Sequence, residues 1–156
     1  FHKEINKYDK YLVNVTHGDL TFENIIITNF PEFYIIDPAP YENYNNKLID
    51  LACILQSSMI KFELFDDIIV DQNKNILNYE NPRNEHYDFF NDVILNKIFN
   101  VYGNIGLRGA YFFLVIKLIR NIPHLININE FNLALICYVK VLELCNKILQ
   151  LKDREE

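Results

Sequence analysis

Apolar residues gather in two short unbroken runs early in the chain, "NIIIT" (24–28) and "FYIID" (33–37), with "NFPE" between them. Two runs of β-branched and aromatic residues about a Pro-containing turn predict an antiparallel β-hairpin. Pro38 and Pro40 end the second strand. A further run, "YLVNV" (11–15), predicts a short strand that stops at the polar turn "THGD". From residue 47 the period changes: Leu48, Leu51, Ala52, Leu55 and Met59 follow i, i+3, i+4 spacing, so an amphipathic helix is expected over 47–65. A polar stretch, "DQNKNILNYENPRNE", comes next, and then helices near 83–102, 107–121 and 129–151. Pro82 reads as a helix start, Gly103 as a stop and Asn129 as the N-cap of the last helix. The expected fold class is α+β, mostly helical. One domain spans 1–156, with a hairpin unit over 16–40 and a helical subdomain over 47–151.

Composition narrows the partners. A chain of 156 residues can bury a core, and half of its residues are hydrophobic, which argues against disorder. Its net charge of -6, with no Lys/Arg cluster, argues against nucleic acid and anionic membranes as partners. Cys53, Cys137 and Cys145 lie in apolar periodic segments, and no Cys-x-x-Cys spacing occurs. They read as reduced core thiols in a cytoplasmic protein, not as a disulfide framework or a zinc site. Lys117, Arg120, Lys140 and Glu143 interrupt the longest apolar runs, so no segment of spanning length is expected.

Asp and Asn are poor strand formers, yet Asp19, Asn24 and Asp37 stand at the edges of the hairpin runs. Asp19 and Asn24 bracket the loop before the first strand, and the antiparallel return strand brings Asp37 back beside it. Asn24 and Asp37 offer hard oxygen ligands suited to Mg²⁺. Asp19 is placed to accept a proton from an attacking hydroxyl. These are the parts needed for phosphoryl transfer, in which catalysis is mostly positioning and charge neutralisation. Each residue alone would read as a turn or cap residue; only the joint spacing carries the chemistry.

"HGDLTFEN" resembles the His-x-Asp-x-x-x-x-Asn catalytic loop of the kinase fold, and "IIDP" stands where kinases carry their metal-binding Asp-Phe-Gly. The Gly after His, the Asp-Pro pair and the later "DLA" at Asp50–Ala52 are similar to the aminoglycoside phosphotransferase, choline kinase and fructosamine kinase group of small-molecule kinases. The resemblance covers the C-terminal lobe, with its specific part over 16–52. It implies a kinase-like lobe built on a catalytic hairpin and a helical bundle. ATP would be the co-substrate and Mg²⁺ the cofactor, with phosphoryl transfer to a hydroxyl of a sugar, amino-sugar, choline or aminoglycoside. Asp19 would then be the base, with Asn24 and Asp37 holding Mg²⁺ against the nucleotide phosphates. His17 would brace the loop, and Asp50 would tie it from the next helix.

No Gly-rich turn precedes His17, and the chain opens on Phe1. The resemblance therefore implies a fragment that lacks the N-terminal nucleotide lobe, weak or inactive by itself and prone to self-association. The acidic residues Glu80, Glu85, Asp88 and Asp92 favour a cationic substrate on charge alone. The competing reading is a degenerate, pseudokinase-like binding module without catalysis.

Overall fold

The structure, a computed structural model, describes residues 6–13, 15–29, 31–39, 45–61, 64, 70–73, 76–79 and 84–152. It is mostly helical with small antiparallel hairpins, an α+β arrangement. Strands β1 (Ile25–Ile27) and β2 (Phe33–Ile35) pair antiparallel, with Ile25 opposite Ile35 and Ile27 opposite Phe33. The hairpin stands largely in solvent, with Ile27 72% and Phe33 62% exposed. The run 11–15 does not form a strand among the described residues. Tyr11 closes a 3₁₀ turn (Asn6–Tyr11), and Leu12 makes a lone bridge to Asn46.

Helix α1 (Lys47–Leu55) starts where Asn46 caps it, its side chain accepting from the Leu48 N–H at 2.9 Å. The same buried amide donates to the Tyr8 carbonyl at 2.8 Å, so one side chain starts the helix and anchors the N-terminal segment. The α-helix does not run to residue 65 as its periodicity suggested. It passes into one π-helical turn (Gln56–Ile60), and Lys61, in the left-handed region at φ 58°, ends it.

Residues 47–151, read from sequence as helical, also contain a second hairpin, β3 (Val70–Asn73) paired with β4 (Ile76–Tyr79). Its strands are short and rich in Asn and Asp, so strand propensity does not mark them.

Helix α2 (Glu85–Asn127) begins at Asn84, whose side chain accepts from the His86 and Tyr87 N–H groups. Pro82 lies outside the described residues. Gly103, at φ 65° and ψ -166°, breaks the helix where its glycine was read as a stop. The second half then packs Gly109, Leu114 and Leu118 against α1 and against α3 (Phe131–Lys152). Asn129 is not the N-cap of α3. It sits at φ 65° just past α2, its N–H bonded to Ile126 O while Glu130 N–H reaches Leu125 O, the paired bonds of a Schellman C-cap. By length and composition alone α2 could cross a membrane, its most apolar 18-residue window having a mean hydropathy of 1.3, so the expectation that no segment reaches that length does not hold. Within this fold 44% of that window is buried.

The core joins Tyr8, Leu48, Cys53 and Leu55 to Leu114, Leu118, Ile136 and Leu144. On α3 the buried positions Ala134, Cys137, Val141 and Leu144 keep helical spacing. At Gly109 the second half of α2 packs tightly on α1 and the N-terminal turn: a Cβ there would sit 2.6 Å from Leu48 Cδ1 and 2.8 Å from Tyr8 Cε1. Gly109→Ala is therefore expected to destabilise by about 1–3 kcal/mol through overpacking, despite the better helix propensity of alanine. Urea unfolding of the variant checks this, and an unchanged or higher midpoint would show that the two helices have room to part.

Candidate active site

The loop 16–24 is held from three directions. From α1, the Asp50 carboxylate accepts the His17 N–H (3.0 Å) and the Gly18 N–H (2.7 Å). Gly18 has φ 79°, a conformation in which a side chain would be strained, and this lets both N–H groups face one carboxylate. From the hairpin, the Ile36 carbonyl lies 2.7 Å from His17 Nε2, while His17 Nδ1 accepts the Asp19 N–H at 3.3 Å. The two bonds together place the ring proton on Nε2. From the π turn, Ser57 Oγ accepts the Phe22 N–H at 2.9 Å.

Asn24 and Asp37 come to the same end of the hairpin because its register continues one step beyond the strands. Ile36 N–H donates to Asn24 O at 3.0 Å, so Asp37 follows directly on the residue paired with Asn24. Asp37 takes a left-handed conformation, φ 52°, which turns the chain out of β2. Two residues on, the Ala39 N–H donates to His17 O at 2.7 Å. Aspartate tolerates this region better than most residues, and such outliers gather at functional sites. Asn24 donates through Nδ2 to Asp19 O (2.7 Å) and Asp19 Oδ2 (3.3 Å), bonds in which its Oδ1 takes no part.

The structure thus brings His17, Asp19, Asn24, Asp37 and Asp50 to one corner. It also adds residues that the sequence did not single out. Lys117, on the second half of α2, donates to Asp19 Oδ1 at 2.5 Å and lies 3.2 Å from Cys53 Sγ. The Cys53 thiol in turn faces Gly18 O at 3.5 Å. Burial pushes the Cys53 thiol pKa up, so the thiol form persists at neutral pH. Burial acts to lower the Lys117 pKa, but the neighbouring Cys53 sulfur and Asp19 carboxylate outweigh it, and the ammonium is held above its ordinary value. Lys117 was legible only as a charge interrupting the apolar run "YFFLVIKLIR". A mostly buried cation on such a run calls for a partner, but 98 residues separate it from Asp19.

Beside Asp19 opens a cleft of about 390 Å³, walled by Glu23 from the loop, Gln56 from the π turn, and Lys117, Arg120 and Asn121 from α2. Neither Asn24 nor Asp37 lines it. The acidic residues that favoured a cationic substrate stand elsewhere. Asp88 pairs with Lys61 at 2.8 Å, Glu85 and Asp92 are exposed on the first half of α2, and Glu80 lies outside the described residues.

Among the described residues no three His, Cys, Asp or Glu side chains converge as a metal cluster. Asn24 and Asp37 each carry a hard oxygen at the same end of the hairpin. Set against protein-family models, curated proteins and solved structures, the chain matches none.

Proposed function

We propose that this chain is the catalytic lobe of a small-molecule kinase, transferring the γ-phosphoryl group of ATP to a hydroxyl of a small acceptor. The observation that supports this reading best is the loop–hairpin–helix network. Asp50 holds the His17–Gly18 backbone, His17 holds Ile36, and Ile36 holds Asn24. Asp19, Asn24 and Asp37 thereby lie at one end of the hairpin, although 18 positions separate Asp37 from Asp19.

In this reading Asp19 orients the acceptor hydroxyl and takes its proton as the oxygen attacks. Lys117 and Asn24 pin the two Asp19 oxygens from opposite sides, which fixes the direction in which the carboxylate accepts. Asn24 Oδ1 and the Asp37 carboxylate would hold Mg²⁺, which when bound neutralises charge on the nucleotide phosphates. Both side chains supply hard oxygens from neighbouring positions of the hairpin end, so the donor set fits the ion. A cytoplasmic location, where ATP and reduced thiols coexist, accords with this activity.

The test is thermal unfolding with and without Mg²⁺-ATP. A ligand bound only to the folded state raises stability by RT ln(1 + [L]/Kd), about 2.7 kcal/mol at a hundredfold excess over Kd. Stabilisation is expected for the chain as it stands and should vanish in Asp37→Ala. A shift that survives Asp37→Ala would remove the assigned metal site. Nucleotide binding without phosphoryl transfer to any acceptor would favour the non-catalytic binding module.

A further inference from the structure

We infer that the cavity between the second half of α2 and the end of α3 is a binding site for a small monocarboxylate, an organic acid about the size of one aromatic ring. Its carboxylate is taken by the Tyr111 hydroxyl, the Lys147 ammonium and the Gln150 carboxamide. This site does not depend on the phosphotransfer reading.

The cavity, about 150 Å³, is lined by Leu107 and Tyr111 of α2 and by Lys147, Gln150 and Leu151 of α3. It shares no residue with the cleft beside Asp19. Tyr111 precedes Lys117 by six positions, a rise of about 9 Å along the helix.

Tyr111 is 5% exposed, and its two neighbours in the core run, Phe112 and Phe113, are phenylalanines. A phenol buried this deeply normally finds a hydrogen-bond partner. The Tyr111 hydroxyl has none among the described residues, and burial alone pushes its pKa up. Nor is it sealed inside the protein, as the unpartnered Gln56 Oε1, Ser58 Oγ and Asn91 Oδ1 are. The hydroxyl is therefore reached from outside, and the cavity that Tyr111 lines is the opening. Lys147 stands over the same ring, its Nζ 5.9 Å from the ring centroid. Glu143, one turn earlier on α3, pairs with Lys140 at 3.0 Å, and Lys147 makes no ion pair among the described residues.

No Asp or Glu lines the cavity, and its three polar side chains are all donors: a phenol, an ammonium and a carboxamide. Such a set favours an anion over a neutral or cationic ligand, here in a chain whose net charge is -6. Leu107 and Leu151 add apolar walls that a bare inorganic anion leaves unused and a hydrocarbon body covers. An engineered cavity of about this volume in another protein holds benzene, so a nucleotide or an oligosaccharide is too large.

The experiment titrates the whole chain at pH 7 with benzoate and butanoate, both ionised there, and reads ligand line broadening by ¹H NMR. Benzyl alcohol, benzylamine and inorganic phosphate are separate arms. At least one of the two acids is expected to bind saturably, about tenfold more tightly than benzyl alcohol or benzylamine. Its binding should weaken about tenfold in Tyr111→Phe, the loss of one hydrogen bond to a charged group, and by a similar factor in Lys147→Met. Tyr111→Phe keeps the ring and its burial, and Lys147 is exposed, so both variants should fold, which their unfolding midpoints check. Failure of both acids to saturate would overturn the inference. So would benzyl alcohol binding as tightly as benzoate, phosphate as the tightest ligand, or an affinity unchanged in either variant.

Discussion

Asp50→Ala is expected to cost roughly 3 kcal/mol of folding free energy and to abolish the Mg²⁺-ATP response. The carboxylate is half-buried and accepts two backbone N–H groups, from His17 and Gly18, in charge-assisted bonds. Such bonds contribute about 1.5–3 kcal/mol each when buried, and partial exposure lowers the sum. The loop's other attachments, from Ile36, Ser57 and Lys117, do not hold the Gly18 N–H. Without Asp50, the left-handed Gly18 is free to relax, and with it the aim of Asp19. Asp50→Asn, which keeps one acceptor oxygen, should lose about half as much. Urea unfolding measures the first quantity and thermal shift with Mg²⁺-ATP the second. A stability within about 0.5 kcal/mol of the parent chain would mean that the loop is held elsewhere.

Stability should also fall steeply above pH 9. Burial pushes the Cys137 thiol from its usual 9.0 up to about 12, and burial raises Cys53 and Tyr111 in the same direction. Lys117, buried but flanked by Cys53 and Asp19, also keeps its proton beyond its usual value. In each case the native state retains a proton that the unfolded chain has already released, so unfolding is favoured as pH rises. The loss begins near the unfolded thiol value of 9 and continues upward. At pH 11 an unfolded Cys137 is almost wholly ionised and the native one mostly is not, a difference on the order of 3 kcal/mol. Denaturant unfolding between pH 7 and 11 reads the slope, and Cys137→Val should remove most of this contribution. Equal stability at pH 8 and pH 11 would contradict the assigned burial of these thiols.

The parts of the site that neighbour one another in the chain were legible in the sequence. The spacing of β-branched runs about "NFPE" implied the hairpin, and the hairpin alone brings Asp37 back beside Asn24, because antiparallel pairing is a local rule. The changed period after residue 47 marked α1, and Gly103 marked the break in α2. Signals with two local meanings misled. Asn129 suits an N-cap by type, but its left-handed backbone closes the preceding helix. The periodicity of 47–65 also gave no warning of a π turn, which occupies only the last five helical residues, Gln56–Ile60, with no further turn to show a shifted stripe.

What the chain's own pattern determined is therefore the hairpin, the helices and the set of oxygen-bearing residues on the loop. The tertiary structure decided which distant groups complete them. Lys117 reaches Asp19 across 98 residues, Ser57 reaches Phe22 across 35, and Gln56 and Asn121 become opposite walls of one cleft. No local propensity encodes such meetings. They follow from how the apolar faces of α1 and α2 pack around Leu48, Gly109 and Leu114, and the polar residues at the edge of that contact are carried into place with it.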